Sequence, residues 1–123
     1  EAVFRREMKK ANRLTKASDF KAVLDQRHCA GKNKSMSVYY AANSVGYARI
    51  GLSVSVKMGN AVTRVRVRRQ LRAQINLSDI LEKPFDIVII ARPGYLRNSF
   101  EENAKILRSC LGNLSSRTTE EQK

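Results

Sequence analysis

The sequence predicts an α+β domain on three observations: two apolar runs of period two separated by a turn, one unbroken β-branched run, and apolar stripes of helical period before, between and after them. A length of 123 residues, 42% of them apolar, suits one domain around one core. The first helix is read over Leu14 to Gln26, where Phe20, Val23 and Leu24 share a side and Ser18 is the expected cap. Arg27 to Lys34 reads as a basic turn. Ser35 to Ala41 then alternates Met36, Val38 and Tyr40 with small or polar neighbours. After a turn at Asn43, Ser44 and Gly46, Ala48 to Val56 alternates again, with Ile50, Leu52, Val54 and Val56 on one face and Gly51, Ser53 and Ser55 on the other. The two runs are expected to pair as a hairpin. The small side chains on the second strand's outer face let another backbone approach closely. An RNA strand or plain solvent accounts for them equally well.

Asn60, following Gly59, is the expected N-cap of a helix that persists to about Leu77, and Ser78 to Pro84 forms its exit. Phe85 to Ala91, FDIVIIA, reads as a strand buried on both faces, stopped by Arg92, Pro93 and Gly94. Ser99 with Glu102 makes a capping box, and Ala104, Leu107, Leu111 and Leu114 carry the last helical stripe. Residues 1–12 are expected to be a flexible basic arm, 13–114 the domain, and 115–123 a disordered tail.

Charge narrows the function. The chain has 24 Lys and Arg against 11 Asp and Glu, a formal +13, and between Gln26 and Ser78 it holds ten basic residues and no carboxylate. A long unneutralised basic surface implies a polyanionic partner. In the segment KMGNAVTRVRVRRQLR, at 100° per residue with Arg64 at zero, Arg68, Arg72 and Arg69 fall at about 40°, 80° and 140°, while Val67, Leu71 and Ile75 fall between about 300° and 20°. One helix face is apolar and its neighbour is guanidinium. Arg66 stands apart at about 200°. Arginines in the first turns oppose the helix dipole at about 0.3–1 kcal/mol each, so stability does not explain them, whereas paired donors for phosphate oxygens do.

Other functions are disfavoured. The longest strongly apolar run, Ile87 to Ala91, is far too short to cross a bilayer, and the N-terminus lacks the apolar centre of a secretory signal, so a soluble, cytoplasmic protein without a membrane partner is expected. Cys29 and Cys110 show no CxxC spacing and His28 is the sole histidine, which argues against a metal site and for two reduced thiols. No catalytic residue is assigned: there is no paired-carboxylate or P-loop signature, and His28 is the only conceivable general base.

Gly51 to Arg72, GLSVSVKMGNAVTRVRVRRQLR, resembles the signature of the protein subunit of bacterial ribonuclease P, in which a GLSVSKK-like strand leads through a glycine into AVxRNRxKRxxRE. RLTKASDF is similar to the family's first helix and FDIVIIARPG to its last strand and turn, so the resemblance spans about Arg13 to Leu114. Three positions depart from the pattern: Val56 stands for a lysine, Val65 for the asparagine of RNR, and Ala73 for an acidic or amide residue.

The resemblance implies a two-layer αβββαβα domain with a mainly four-stranded sheet and a left-handed βαβ crossover, like the second domain of the fifth small-subunit ribosomal protein. It also implies a short extra strand near Arg27 to Gly31. The family's protein joins a catalytic RNA, and together they cut the 5′ leader from precursor tRNA, the RNA performing the hydrolysis with Mg²⁺. On this basis Lys57, Asn60, Arg64, Arg66, Arg68, Arg69 and Arg72 are expected to hold the catalytic RNA in a 1:1 complex with a monomeric protein. Phe20, Tyr40, Ser53 and Ser55 are expected to line a cleft for the single-stranded leader, plain core packing being the other reading of Phe20. A structural RNA-binding protein of ribosomal type is the alternative.

Overall fold

A computed structural model describes residues 8–26 and 28–114, so the expectations for residues 1–7, 27 and 115–123 lie outside the described residues. The regular elements run α1 (Ala17–Gln26), β1 (His28–Lys32), β2 (Met36–Ala42), β3 (Arg49–Ser53), α2 (Ala61–Asn76), β4 (Phe85–Ala91) and α3 (Phe100–Leu111), with short 3-10 turns between them. β1 is the extra strand that only the family resemblance implied. Its sequence, HCAGK, has too little apolar alternation to announce a strand.

The four strands form one sheet in the order β1-β2-β4-β3. β2 pairs with β4 antiparallel, Met36 opposite Ala91 through Ala42 opposite Phe85, and β3 pairs with β4 parallel, Arg49 opposite Asp86 through Ser53 opposite Ile90. The expected hairpin of β2 with β3 is therefore wrong, because β4 lies between them. The physical reason lies in β4 itself: an apolar run that fills both faces is most stable at the sheet centre, where both its edges are also paired. The β2–β3 connection then crosses the end of β4, held by Asn43 N–H to Pro84 O (2.9 Å) and Ala48 N–H to Leu81 O (3.1 Å).

Alternation along the strands sorts the core onto two sides. Met36, Val38, Ile50, Ile87 and Ile89 face α2 and α3, where Val67, Leu71, Ile75 and Leu107 complete the main core. Val88 faces the opposite way, against Leu14 and Val23, with Phe20, Tyr39 and Ile90 around them. The sheet with α2 and α3 makes the expected two layers, and α1 covers part of the other face.

Several boundaries differ from the sequence reading, three of them with consequences for the surface. α1 starts at Ala17, so Ser18 lies inside the first turn and the Lys16 carbonyl receives the N–H groups of Asp19 and Phe20 at 3.0 and 3.1 Å. Leu14 precedes the helix and extends the sheet edge instead, its N–H donating to Ile50 O at 3.0 Å. β3 stops at Ser53, after which Ser55 accepts from Lys57 N–H and caps a 3-10 turn, Val56–Met58. That turn swings Val56 outward, 74% exposed, and puts Met58 into the core. The described part of the expected basic arm, Met8 to Asn12, is tied to the domain: Met8 N–H donates to Asn76 Oδ1 (2.9 Å), and the buried Asn12 donates Nδ2–H to Ala48 O (2.7 Å).

Candidate nucleic-acid interface

The roll of α2 about its axis is set by its own sequence. Asn60 Oδ1 accepts from Thr63 N–H at 2.9 Å and fixes the start of the helix, while Val67, Leu71 and Ile75 lock one face into the core. The remaining arc is delivered to solvent as expected, with Arg66 and Arg69 exposed and Arg64, Arg68 and Arg72 half-buried. Arg64 is steadied by donation from Nε to Gly59 O (3.2 Å), and Lys57 stands exposed on the 3-10 turn just before the helix. Among the described residues no carboxylate pairs with any of these cations. Val65, 48% exposed, sits among them with Val62, Arg66 and Arg69.

On one flank of α2, Arg68 and Arg72 meet Arg13 across a groove of about 270 Å³ whose apolar floor includes Phe20, Ile50 and Leu52. Burial lowers the pKa of Arg72, and the neighbouring charges of Arg13 and Arg68 lower it further. Three guanidinium groups at the edge of an apolar floor form a site that an anion would relieve.

The opposite sheet face holds the second group of expected residues, with one correction. Phe20 lies half-buried over Gly51, where any Cβ would collide with its ring. Ser53 lies on this same side of β3 and is half-exposed. Tyr40 does not: it is 5% exposed on the α2/α3 side, its ring 5.5 Å from His28 and edge-on to Phe85 at 5.7 Å. The period that buries Met36 and Val38 buries Tyr40 with them, so Tyr40 is a core residue and Tyr39 is the tyrosine beside Phe20. Ser55 is exposed beyond the strand end, its hydroxyl engaged as a cap.

Arg92 and Arg49 are residues of this face that the sequence reading passed over. Arg92 donates from Nε to Ser37 Oγ at 2.7 Å and has no ion pair among the described residues, which leaves its terminal nitrogens as donors. The available signal was its place two residues after Ile90, on the same side of the β4 alternation. Arg49 is neutralised by a two-point bond to Asp86 (2.8 and 2.7 Å), which Asn43 also holds at 2.8 Å, and that bond raises the Arg49 pKa. The face is thus cationic at Arg92 and neutral at Arg49.

Mg²⁺ needs several oxygen ligands converging on one point. Among the described residues no three His, Cys, Asp or Glu side chains gather in that way, and Asp86 is already engaged, so the donor set does not fit a protein-held Mg²⁺. Cys29 and Cys110 are free thiols, the first exposed and the second buried. No helix among the described residues is long and apolar enough to cross a membrane.

Comparison with known proteins agrees with this geometry. The ribonuclease P family model matches residues 8–115. The ribonuclease P protein component of Mesoplasma florum is 38% identical over 102 residues, covering 81% of this chain and 92% of the relative, and that of Streptococcus thermophilus is 44% identical over 96 residues, covering 77% and 85%. Among solved structures, the ribonuclease P protein of Staphylococcus aureus superposes with a TM-score of 0.72 at 32% identity, covering 84% of this chain and 94% of that one. The Thermotoga maritima ribonuclease P protein gives 0.75 at 26% identity, covering 85% and 98%. A basic helix with no carboxylate partner among the described residues, a sheet face carrying an aromatic ring, and sequence relatives along most of its length place this chain in the ribonuclease P protein family, the protein component of the ribonucleoprotein that removes the 5′ leader of precursor tRNA.

Proposed function

We propose that the chain divides its work between the two sides of β3. Lys57, Asn60, Arg64, Arg66, Arg68, Arg69 and Arg72 hold the catalytic RNA through phosphates, in a 1:1 cytoplasmic complex with a monomeric protein. Phe20, Tyr39, Ser53 and Arg92 receive the single-stranded leader, stacking a base on a ring and holding its backbone at the guanidinium. Stacking is worth roughly 1–3 kcal/mol per base and accepts any base, which suits a subunit that meets many leader sequences.

The observation that carries this reading is the arginine arc of α2, which has no carboxylate partner among the described residues and is held by a buried apolar face. Hydrolysis belongs to the RNA and the Mg²⁺ it binds. The protein contributes positioning and charge neutralisation, which lowers the amount of Mg²⁺ needed to bring two polyanions together. His28, held against the Tyr40 ring, is assigned no catalytic role.

Reconstitution tests the reading directly. Added to a bacterial ribonuclease P RNA at low Mg²⁺, the chain should accelerate precursor tRNA cleavage, and no acceleration would leave only the structural RNA-binding alternative. Cleavage by the chain alone, abolished by His28→Ala, would overturn the division of labour. Neutralising about six phosphates of single-stranded RNA should give a log-log salt slope on the order of −4.

A further inference from the structure

Arg66 is the one arginine of α2 that the helical wheel separates from the rest, and the structure gives it surroundings of its own. It lines a groove of about 240 Å³ on the α2 flank away from Arg13 and Phe20, together with Gln70, Tyr95, Leu96, Asn98 and Phe100. The groove is smaller than the roughly 300–1,000 Å³ that drug-sized ligands occupy, which suits a single planar ring system.

Its polar groups are held from beneath. The Tyr95 hydroxyl donates to Gln70 Oε1 (3.0 Å) and accepts from Gln74 Nε2–H (3.1 Å), so the Gln70 carboxamide is oriented by a buried phenol and its own Nε2 has no partner among the described residues. Asn98 donates Nδ2–H to Ser35 Oγ (2.7 Å) and Asn103 Oδ1 (3.1 Å), which leaves Oδ1 as its acceptor without a described partner. A fixed donor, a fixed acceptor, a half-exposed Phe100 ring and a guanidinium with no ion pair among the described residues therefore border one small cleft. Glu101 and Glu102, in the first turn of α3, disfavour a phosphate at the Phe100 end and assign it to the Arg66 end.

We propose that this groove is a second nucleotide site, taking one unstacked RNA nucleotide with its base on Phe100, its base edge on Gln70 and Asn98, and its phosphate on Arg66. The site rests on the family reading above and adds to it: α2 is a ridge between two grooves and engages RNA backbone on both flanks, where phosphate contact along one face would need neither Gln70 nor Phe100.

The chain has no tryptophan, so a Phe100→Trp variant carries a single reporter at the site. In a complex with a bacterial ribonuclease P RNA that cleaves precursor tRNA normally, the emission should be quenched at least about twofold by base stacking. At RNA concentrations that saturate each variant, adding Arg66→Gln should abolish the quench, while Lys83→Gln, outside the RNA-holding set, should preserve it. Unquenched emission in a cleavage-competent complex overturns the site and leaves the family reading intact, whereas failure of the unmodified chain to support cleavage overturns both. Should Phe100→Trp fold poorly, Gln70→Leu reads the same groove, with chemical denaturation of the variant checking that it remains folded. A threefold to tenfold loss of affinity for the catalytic RNA is expected, and an unchanged affinity overturns the site.

Discussion

Arg72 sits in a field of its own sign, partly buried beside Arg68 and Arg13. The free protein carries this repulsion, and a bound phosphate removes it. Arg72→Gln should therefore leave the free chain as stable or slightly more stable in a urea titration while flattening the salt dependence of RNA binding by about 0.7 log units per decade. Opposite movements of the two readouts would distinguish a ligand-directed charge from a structural one. The glycines make a similar contrast. A Cβ at Gly94 would meet the carbonyl of Lys34, which is backbone and cannot yield, so Gly94→Ala should cost about 1–3 kcal/mol. At Gly51 the obstacle is the end of the Phe20 ring, which can swing aside. Gly51→Ala should thus cost less in stability but weaken the cross-link yield or affinity of a precursor tRNA leader, because the displaced ring no longer presents its face.

At the scale of elements, α2 is the part most fully readable beforehand. Its cap, its buried stripe and its arginine arc all follow from spacing, because a helix places side chains by local geometry alone. Asn60→Ala should cost about 0.5–2 kcal/mol in chemical denaturation, since it leaves the Thr63 N–H without its acceptor. Val65 lies exposed within that arc, as its angle required, and Val65→Asn should leave stability within about 0.5 kcal/mol and RNA affinity unchanged or tighter. A clear loss of affinity would mean that the valine packs against RNA. β3 was less legible. Its alternation continues through Val56, but the Ser55 cap ends the strand first and hands the core position to Met58. A short polar side chain competing for backbone donors can outweigh three more residues of pattern.

Over the whole molecule, burial couples stability to alkaline pH. Burial raises the Tyr95 pKa above its ordinary 10.0, against smaller lowering by Gln74 and Arg66, and burial with a smaller push from Cys29 raises Cys110 above 9.0. For both acids the unfolded chain releases its proton first, so it holds fewer protons than the folded chain and the slope of stability against pH is negative. Their contribution is complete below about pH 9 and is lost as pH climbs through the two raised values. Denaturation midpoints measured from neutrality to above pH 10 should fall, and Cys110→Ala combined with Tyr95→Phe should reduce the fall. A midpoint independent of pH over that range would contradict the assigned burial.

What the amino-acid sequence determined by itself is local: which segments other than β1 are helical or extended, which face of α2 is guanidinium, and the capping of α2 and α3, because these depend on neighbours within a few residues. The family motif, a string of residues within one strand and one helix, was legible for the same reason. The tertiary structure decided what depends on distant partners. β4 entered between β2 and β3 because its two apolar faces and two edges need partners that spacing cannot name. That choice put Tyr39 rather than Tyr40 beside Phe20 and brought Arg92 to the same face. It also set Arg13 against Arg72, and Tyr95 beneath Gln70, from chain positions that no periodicity connects.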